Sequence, residues 1–237
     1  MSYPLYIIFG VLPSFIWLLF YLRKDSHPES NSMVLKIFFC GALMALPAIL
    51  LEKGLLDFFG NLSLSFALMI FLNIFIGVAF VEEFLKYLVV KAKVLNNAEF
   101  DEPIDVIIYM IIAALGFAAA ENILILFSLG PEFLLEDVFI LSVLRFWGAT
   151  LLHALCSGAL GYFLALSLFE TKKRGRFLIF GLALATFLHG LYNFSIIRLA
   201  ENIYLLIPII ALILITLAAF LAFAFKKLKE LKSVCKI

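Results

Sequence analysis

The sequence predicts an all-α fold, a polytopic bundle of about seven transmembrane helices. Hydrophobic residues make up 65% of the 237 residues and charged residues 15%, and the mean hydropathy is +1.14. Soluble domains carry roughly 25% charged residues, so a water-soluble fold of this composition would expose apolar surface on every side. The formal net charge of +1 gives no indication of a nucleic-acid partner. The expected environment is the lipid bilayer.

Seven apolar segments define the spans. Helix is the expected conformation, because backbone polar groups in hydrocarbon have to pair within their own segment. The third and fifth segments exceed the ~20 residues that cross a bilayer, so we expect them to tilt or to extend into water. Pro103 indicates a helix start, and Gly130-Pro131 indicates a helix end. The segments cover residues 3–22, 33–51, 62–91, 104–128, 138–169, 177–199 and 203–225.

The distribution of Lys and Arg predicts the orientation, because cytoplasmic loops carry an excess of both. Fourteen of them follow the first, third, fifth and seventh segments, and two lie in the alternate connections. We therefore expect a multi-pass protein of the cell membrane with its N-terminus outside and its C-terminus in the cytoplasm. Residues 1–237 form one integral membrane domain in this interpretation, with a basic cytoplasmic tail at 226–237. The two exceptions are Lys53 and Arg198.

Ionisable residues inside the spans are the candidates for function, because each costs on the order of 3 kcal/mol at the centre of a bilayer. Arg145 is expected to extend toward the outer interface or to pair with Glu136 or Asp137. His27 lies in a charged loop and is expected to be plain surface. The ionisable residues inside the spans are Glu82, Glu83, Lys86, Glu121, Arg145, His153 and His189.

The motif Glu82-Glu83-x-x-Lys86 lies near the cytoplasmic end of the third segment. On a helix Lys86 reaches either carboxylate, since residues three and four apart share a face, whereas the two glutamates diverge by about 100°. One interpretation is an ion pair at the membrane boundary, with the lysine extending to the headgroups. The other is that one glutamate, left without a cation of its own, faces a cavity and acts as a general base.

Glu121 follows a run of small residues that begins at Gly116, and Asn122 comes directly after it. The small residues allow a neighbouring helix to approach closely. Glu121 has no basic residue within a turn of its own helix, so its charge has to be compensated from another span. Packing alone does not explain this glutamate, and we expect it to have a function.

Two histidines lie in the next two spans, His153 in the fifth and His189 in the sixth. His189 and Asn193 are four residues apart and share a helix face, so both can contact one bound group. At ~1.5 Å per residue, both histidines and the acids Glu82 and Glu121 lie about 15 to 25 Å from the cytoplasmic loops. Four helices therefore present acids and imidazoles in one layer, and we expect a single polar site.

Together these motifs resemble the PrsW family of intramembrane proteases, which is related to the glutamate-type CAAX prenyl endopeptidases and the bacteriocin-protection families. Lys86, and Glu121 where the CAAX enzymes have histidine, favour the PrsW branch. The resemblance implies an intramembrane endopeptidase that acts on a membrane-anchored protein, such as an anti-sigma factor. It rests on Glu82-Glu83-x-x-Lys86, Phe117-x-x-x-Glu121-Asn122, two intramembrane histidines and His189-x-x-x-Asn193.

Peptide hydrolysis inside a membrane needs a polar cavity, a water molecule, a base and donors for the oxyanion. In the favoured, metal-free version, Glu82 or Glu83 activates the water and His153 holds it. His189 and Asn193 bind the scissile carbonyl and the oxyanion that forms from it. The remaining site residues are Glu121, which orients one imidazole, and the supporting residues Lys86, Phe117 and Asn122.

The alternative is a zinc-dependent version of the same protease. Glu121, His153 and His189 make a site of two imidazoles and one carboxylate with an open position, and one of the two adjacent glutamates remains the base. No His-Glu-x-x-His motif is present, so the sequence does not require a metal.

A proton- or ion-coupled transporter is the alternative of another class, because acids and histidines inside spans also form proton relays. Carriers commonly have internal repeats and helices broken near the membrane centre. The candidate breaks, Pro47 and Pro208, lie in segments without the polar residues, and seven spans do not divide into equal halves. Serine and aspartyl intramembrane proteases are disfavoured, because their motifs are absent from the sequence.

Overall fold

A computed structural model describes residues 3–24, 29–95, 97, 100–130 and 133–230. The regular structure of these residues is helical, and seven helical segments are long and apolar enough to cross a membrane. The predicted seven-span, all-α bundle is therefore confirmed, while its direction of insertion stays a prediction. His27 and residues 231–237 of the predicted tail lie outside the described residues.

Three spans are single helices and four combine several elements. Their described bounds are α1 Tyr3–Leu22, α2 Asn31–Leu43, α3 Ala45–Gly60, α4 Phe66–Phe71, a π-helical segment Leu72–Phe80, α5 Val81–Lys93, α6 Pro103–Leu129, α7 Leu135–Arg145, a second π-helical segment Phe146–Thr150, α8 Leu151–Phe169, a 3₁₀ turn Thr171–Lys173, α9 Arg174–Leu199 and α10 Ile203–Lys229.

Several predicted boundaries differ from the structure, among them one in the second span and one in the third. The second span does not end at residue 51, because α2 and α3 follow each other through a turn at Met44 and continue to Gly60. The third span begins at Phe66 instead of residue 62, since the Ser65 hydroxyl accepts a hydrogen bond from the Leu68 backbone N–H and caps the helix there. The longer second span places additional charged residues of α3 within a membrane-spanning segment.

Helix α6 is the central element of the bundle. It packs against α1, α2 and α8 and is the most extensively buried of the seven spans. Gly41 of α2 lies on the backbone of Ala113, and Gly116 of α6 lies on the backbone of Phe38, so that neither position has room for a Cβ atom. Small residues at a helix interface allow this close approach, which confirms the expectation from the small-residue run of α6.

The predicted limits of α6 are confirmed. Pro103 is its first residue, where a missing backbone N–H costs nothing. The Asp105 carboxylate accepts hydrogen bonds from the backbone N–H groups of Asp101 and Glu102, at 3.1 and 2.8 Å. At the other end Gly130 has a φ of 82°, a conformation that favours glycine. These features set where α6 begins and ends.

Two spans contain π-helical segments, and each lies directly before residues that the sequence singled out. Leu72–Phe80 ends two residues before Glu82, and Phe146–Thr150 ends three residues before His153. In a π-helix the backbone hydrogen bonds join residues that are five apart. Such helices occur mostly as short insertions, frequently at functional sites. The two segments therefore change the direction in which the following helix presents its side chains.

The outer surface of the bundle is apolar on several faces. Large hydrophobic side chains are exposed on α1, α3, α9 and α10, among them Leu50, Ile179, Leu212 and Ile215. Soluble monomers rarely expose contiguous apolar patches of this extent. These faces fit the acyl chains of a bilayer, and the polar residues of the spans face inward.

Candidate active site

Ionisable side chains from four spans meet inside the bundle. All of them are exposed by 6% or less, except Glu121, which is 31% exposed. The single polar layer expected from span depth therefore exists as a set of hydrogen-bonded groups, while the catalytic roles of its members stay predictions. We call this set the polar cluster: Glu82, Glu83 and Lys86 of α5, Glu121 of α6, His153 of α8 and His189 of α9.

Lys86 is the centre of the polar cluster. Its Nζ donates to Glu82 Oε2 at 3.1 Å and to Glu83 Oε1 at 2.8 Å, and it lies 2.8 Å from His153 Nδ1. The Phe117 ring lies on a fourth side, with its centroid 4.5 Å from Nζ. Because the lysine is fully buried, it does not extend to the headgroups, and one ammonium group serves both glutamates.

The two adjacent glutamates differ in how many donors they meet. Glu83 is fully buried, and its Oε1 accepts from Lys86 and from His189 Nδ1, while its Oε2 accepts from the Ser157 hydroxyl at 2.6 Å. Glu82 Oε2 accepts from Lys86 alone, and Glu82 Oε1 has no hydrogen bond within the described part of the chain. Glu83 is thus held on both oxygens, and Glu82 retains free acceptor capacity.

His153 is engaged through both ring nitrogens. Its Nε2 lies 2.9 Å from Glu121 Oε2, and its Nδ1 lies 2.8 Å from Lys86 Nζ. A carboxylate only accepts and an ammonium only donates, so Nε2 carries the proton and Nδ1 offers its lone pair. The sequence assigned His153 to hold the water, but in this arrangement neither of its nitrogens is open to a water molecule.

His189 donates through the other ring nitrogen, Nδ1, whereas His153 donates through Nε2. Its Nδ1 lies 3.0 Å from Glu83 Oε1 and donates to it, so in a neutral ring the lone pair is on Nε2. That Nε2 lies 3.9 Å from Glu82 Oε2. One water molecule can bridge such a gap, since each of its hydrogen bonds is about 2.8 Å long. The His189 ring meets the His153 ring edge-on, with centroids 5.0 Å apart.

Arg145 provides the compensating charge for Glu121. Its guanidinium donates to Glu121 Oε2 at 2.9 Å and also to Asn122 Oδ1. The expectation that Glu121 is compensated from another span is confirmed. The expectation that Arg145 extends outward or pairs with Glu136 or Asp137 is wrong, because the side chain turns inward to α6.

Asn193 lies outside the hydrogen-bonded groups. It is half-buried, one turn beyond His189 on α9, and forms no hydrogen bond among the described residues. It lines a surface cleft between the Leu72–Phe80 segment and α9, together with Ile74, Val78, Ile196 and Ile197. Its amide is therefore available to a bound group, which its predicted oxyanion role requires.

Sequence reasoning missed the roles of three residues near the polar cluster. Ser157 was not among the candidate residues, yet it anchors Glu83. Arg145 was taken as an interfacial residue. Glu52 was left out because the second span was predicted to end at residue 51, yet it lies within α3 and interacts electrostatically with Glu82 and Glu121. A longer second segment would have included Glu52 in the set of intramembrane acids.

Comparison with known proteins agrees with the motifs. Residues 29–222 match the family described as PrsW family intramembrane metalloprotease. The chain belongs to the PrsW family. It is 30% identical to Protease PrsW of Oceanobacillus iheyensis over 86% of this chain and 88% of that protein. It is 33% identical to Protease PrsW of Geobacillus kaustophilus over 79% of this chain and 78% of that protein. It is 31% identical to Protease PrsW of Bacillus subtilis over 84% of this chain and 86% of that protein.

Membership in the PrsW family confirms the resemblance inferred from the motifs. It supports an intramembrane protease within a multi-pass membrane protein, and so favours this enzyme class over a transporter. No solved structure matches the chain significantly. The geometry of the polar cluster is therefore described from this structure alone.

The family description raises the question of whether these residues fit a metal ion. Glu82, His153 and His189 each offer one donor atom, and these atoms lie within 4.8 Å of one another. Two imidazoles and a carboxylate suit zinc, and carboxylates stand behind both imidazoles, as second-shell groups commonly do. The sequence expected Glu121 in this set; instead Glu121 lies on the Nε2 side of His153, paired with Arg145.

The position of Lys86 does not fit a metal ion. Its ammonium contacts two of the three candidate donors, Glu82 Oε2 and His153 Nδ1, at 3.1 and 2.8 Å. His153 Nδ1 has a single lone pair, which cannot serve an ammonium group and a divalent cation at the same time. As arranged here, the residues accommodate the lysine in place of a metal ion.

Proposed function

We propose that the protein is a metal-independent intramembrane endopeptidase, in which Glu82 activates a water molecule to hydrolyse a peptide bond of a membrane-anchored protein. The substrate class follows from the family resemblance, with a single-pass anti-sigma factor as the example it suggests. The observation that carries the proposal is the inequality of the two glutamates: Glu83 receives three hydrogen bonds, and Glu82 receives one.

A general base has to be within hydrogen-bond reach of the proton that it takes. Glu82 meets this requirement, because its carboxylate faces His189 Nε2 across 3.9 Å. Both groups present lone pairs to that gap, so a water molecule there donates one proton to each and directs an oxygen lone pair outward. Glu83 already accepts three hydrogen bonds, one of them on its second oxygen, and holds Lys86 and His189 in position.

The water oxygen attacks the peptide carbonyl carbon, and its proton passes to Glu82 while the carbonyl oxygen becomes an oxyanion. The oxyanion then re-forms the carbonyl, and the C–N bond breaks with its electron pair on nitrogen. The leaving nitrogen takes the proton from Glu82 and departs as the amine. Asn193 donates its amide N–H to the oxyanion, and a preformed donor of this kind contributes several kcal/mol in the transition state.

The other members of the polar cluster hold this arrangement in place. Lys86 donates a hydrogen bond to Glu82 and so limits its rotation. His153 transmits the position of Glu121 to Lys86, through contacts of 2.9 and 2.8 Å. Phe117 closes one side of the lysine ammonium, which excludes water from it.

The test is cleavage of tagged single-pass membrane proteins, co-expressed as a library with the wild type or with Glu82→Gln. New termini identified by mass spectrometry are expected with the wild type only. On a substrate so identified, Glu82→Gln should lower turnover by about 10²–10⁴-fold, the usual range for general acid–base catalysis. Glu230→Gln, an exposed glutamate that pairs with Lys227, is the control. Wild-type rates for Glu82→Gln would refute the proposal.

A zinc-dependent protease is the second candidate, because Glu82, His153 and His189 have the donor types of a zinc site. It requires the Lys86 side chain to leave its present position. Metal analysis of purified wild-type protein separates the two candidates. Stoichiometric zinc, with activity lost on chelation and restored by zinc, would replace the metal-independent version.

A further inference from the structure

A groove on the outer surface of the bundle lies between α1 and α10. Trp17 lines it on the α1 side, Leu221 and Phe225 line it on the α10 side, and Leu151 of α8 lines it between them. The rings of Tyr21 and Phe225 stack across the groove, with centroids 6.4 Å apart and an angle of 15° between their planes. The walls of the groove are therefore apolar and largely aromatic.

One end of the groove is basic. Lys24 lines this end, and its ammonium group lies over the Phe20 ring, 4.6 Å from the ring centroid. Lys229 follows Phe225 by four residues and so lies on the same face of α10, one turn beyond the groove. Because α1 and α10 are the first and the last of seven spans, they run in the same direction and bring both lysines to one end of the bundle. Neither lysine forms an ion pair within the described part of the chain.

The Tyr21 hydroxyl is a free hydrogen-bond donor beside this basic end. Tyr21 lines the groove and is only 6% exposed, yet its hydroxyl forms no hydrogen bond with any described residue. The Lys24 backbone N–H donates to the Tyr21 carbonyl at 2.9 Å, which keeps the two residues one turn apart. Since a buried phenol usually has a hydrogen-bond partner, the donor points to an occupant of the groove.

We propose that the groove is a binding site for one anionic phospholipid of the bilayer. An acyl chain lies between α1 and α10, and the phosphate group binds at Lys24 and Tyr21. The occupant has to be apolar along the groove and anionic at its basic end, and an anionic phospholipid combines both properties. A free phosphate ion would leave the apolar walls uncovered, and an apolar helix would leave the lysine and the phenol without a partner.

The spacing along α1 fits such a lipid. Seven residues separate Trp17 from Lys24, which corresponds to ~10 Å along a helix. Trp17 therefore lies at the level of an acyl chain when Lys24 lies at the level of the headgroups. Basic residues at that level attract anionic lipids. The site does not depend on which substrate the protein cleaves or on whether it uses a metal ion.

Trp17 provides a fluorescent reporter for the test. The chain has two tryptophans, so Trp147→Phe leaves Trp17 as the single one. This variant of the full chain is reconstituted in phosphatidylcholine vesicles with increasing fractions of phosphatidylglycerol that is brominated in mid-chain, because bromine quenches indole fluorescence on contact. We expect quenching to saturate at a low fraction of brominated phosphatidylglycerol. The preference over brominated phosphatidylcholine should be about fivefold for each lysine at the basic end.

Variants of the basic end separate a binding site from general attraction to a basic surface. In the Trp147→Phe background, Lys24→Gln should lower the preference for phosphatidylglycerol by about fivefold. Tyr21→Phe keeps the ring stack and should lower it by about tenfold, through the loss of one hydrogen bond to a charged group. Lys172→Gln is the matched control, since Lys172 is an exposed lysine of the 3₁₀ turn that does not line the groove. Equal losses in Lys24→Gln and Lys172→Gln would overturn the proposal.

Filling the groove gives a second test in the same assay. Ala222 lines the groove and is exposed, whereas Ala219 is exposed on the same helix but does not line it. Ala222→Phe should take the space of the acyl chain and abolish the saturable quenching, and Ala219→Phe should retain it. Unchanged quenching in Ala222→Phe would overturn the proposal. Absence of quenching before any groove substitution, as expected if a second copy of the chain or another helix covered the groove, would also overturn it.

Discussion

Replacing Ser157 by alanine tests whether Glu83 is an anchor of the polar cluster. The Ser157 hydroxyl donates to Glu83 Oε2 at 2.6 Å, and both side chains are fully buried. A hydrogen bond to a charged group contributes about 1.5–3 kcal/mol, so Ser157→Ala should lower the free energy of unfolding by about 2 kcal/mol. Glu83 Oε1 keeps its two donors, so turnover should fall by no more than about tenfold, or roughly 1.4 kcal/mol.

Ser167 supplies a matched control on the same helix. It is also fully buried, but its hydroxyl donates to the backbone carbonyl of Leu164, at 2.6 Å. That bond is between neutral groups, which contributes about 1 kcal/mol, and it lies outside the polar cluster. Ser167→Ala should therefore cost about half as much stability and leave turnover unchanged.

The assay combines thermal unfolding in detergent with turnover in proteoliposomes on one tagged single-pass substrate. Both variants remove one oxygen atom from a buried serine of α8, so differences in insertion or expression largely cancel. Equal losses of stability and equal turnover for the two variants would refute the role of Ser157 as an anchor of Glu83.

Three other outcomes are expected. Lys86→Met should abolish turnover without creating zinc content in the purified protein, and stoichiometric zinc in that variant would favour the metal-dependent version. Asn193→Asp should lower kcat at least as much as Asn193→Ala, since it places negative charge where the oxyanion forms; near-normal turnover would remove Asn193 from the mechanism. Gly116→Ala should destabilise the bundle by about 1–3 kcal/mol through overpacking, whereas Gly54→Ala, which meets open space, should not.

Much of the fold could be predicted from the sequence, because a bilayer permits few conformations. An apolar run of about 20 residues has to be helical in hydrocarbon, and this requirement yields the seven spans directly. The end of the second span was predicted too early, since Glu52 and Lys53 interrupt the apolar run although the helix continues to Gly60. Charged residues near a span end do not by themselves end a helix.

The polar cluster was predictable in its membership but not in its pairings. The depth estimated from sequence position placed Glu82, Glu121 and both histidines in one layer. In the structure these residues belong to one hydrogen-bonded set. Which groups pair depends on helix rotation, and the π-helical segment before His153 changes that rotation without a clear sequence signal. For this reason the sequence did not predict that the Arg145 side chain points inward.

The polar cluster and Arg145 together contain three carboxylates and two cations among the described residues, and the proposed reaction starts with both imidazoles neutral. Their formal charge is therefore −1 before a substrate binds. When Glu82 accepts the proton of water, the cluster becomes neutral and the negative charge lies on the substrate oxyanion. Creating new ions in an apolar interior costs several kcal/mol each, whereas this reaction moves an existing charge over a few ångströms. Because the cluster has one more carboxylate than it has cations, hydrolysis moves a negative charge from Glu82 to the substrate. The total charge within the bilayer does not change.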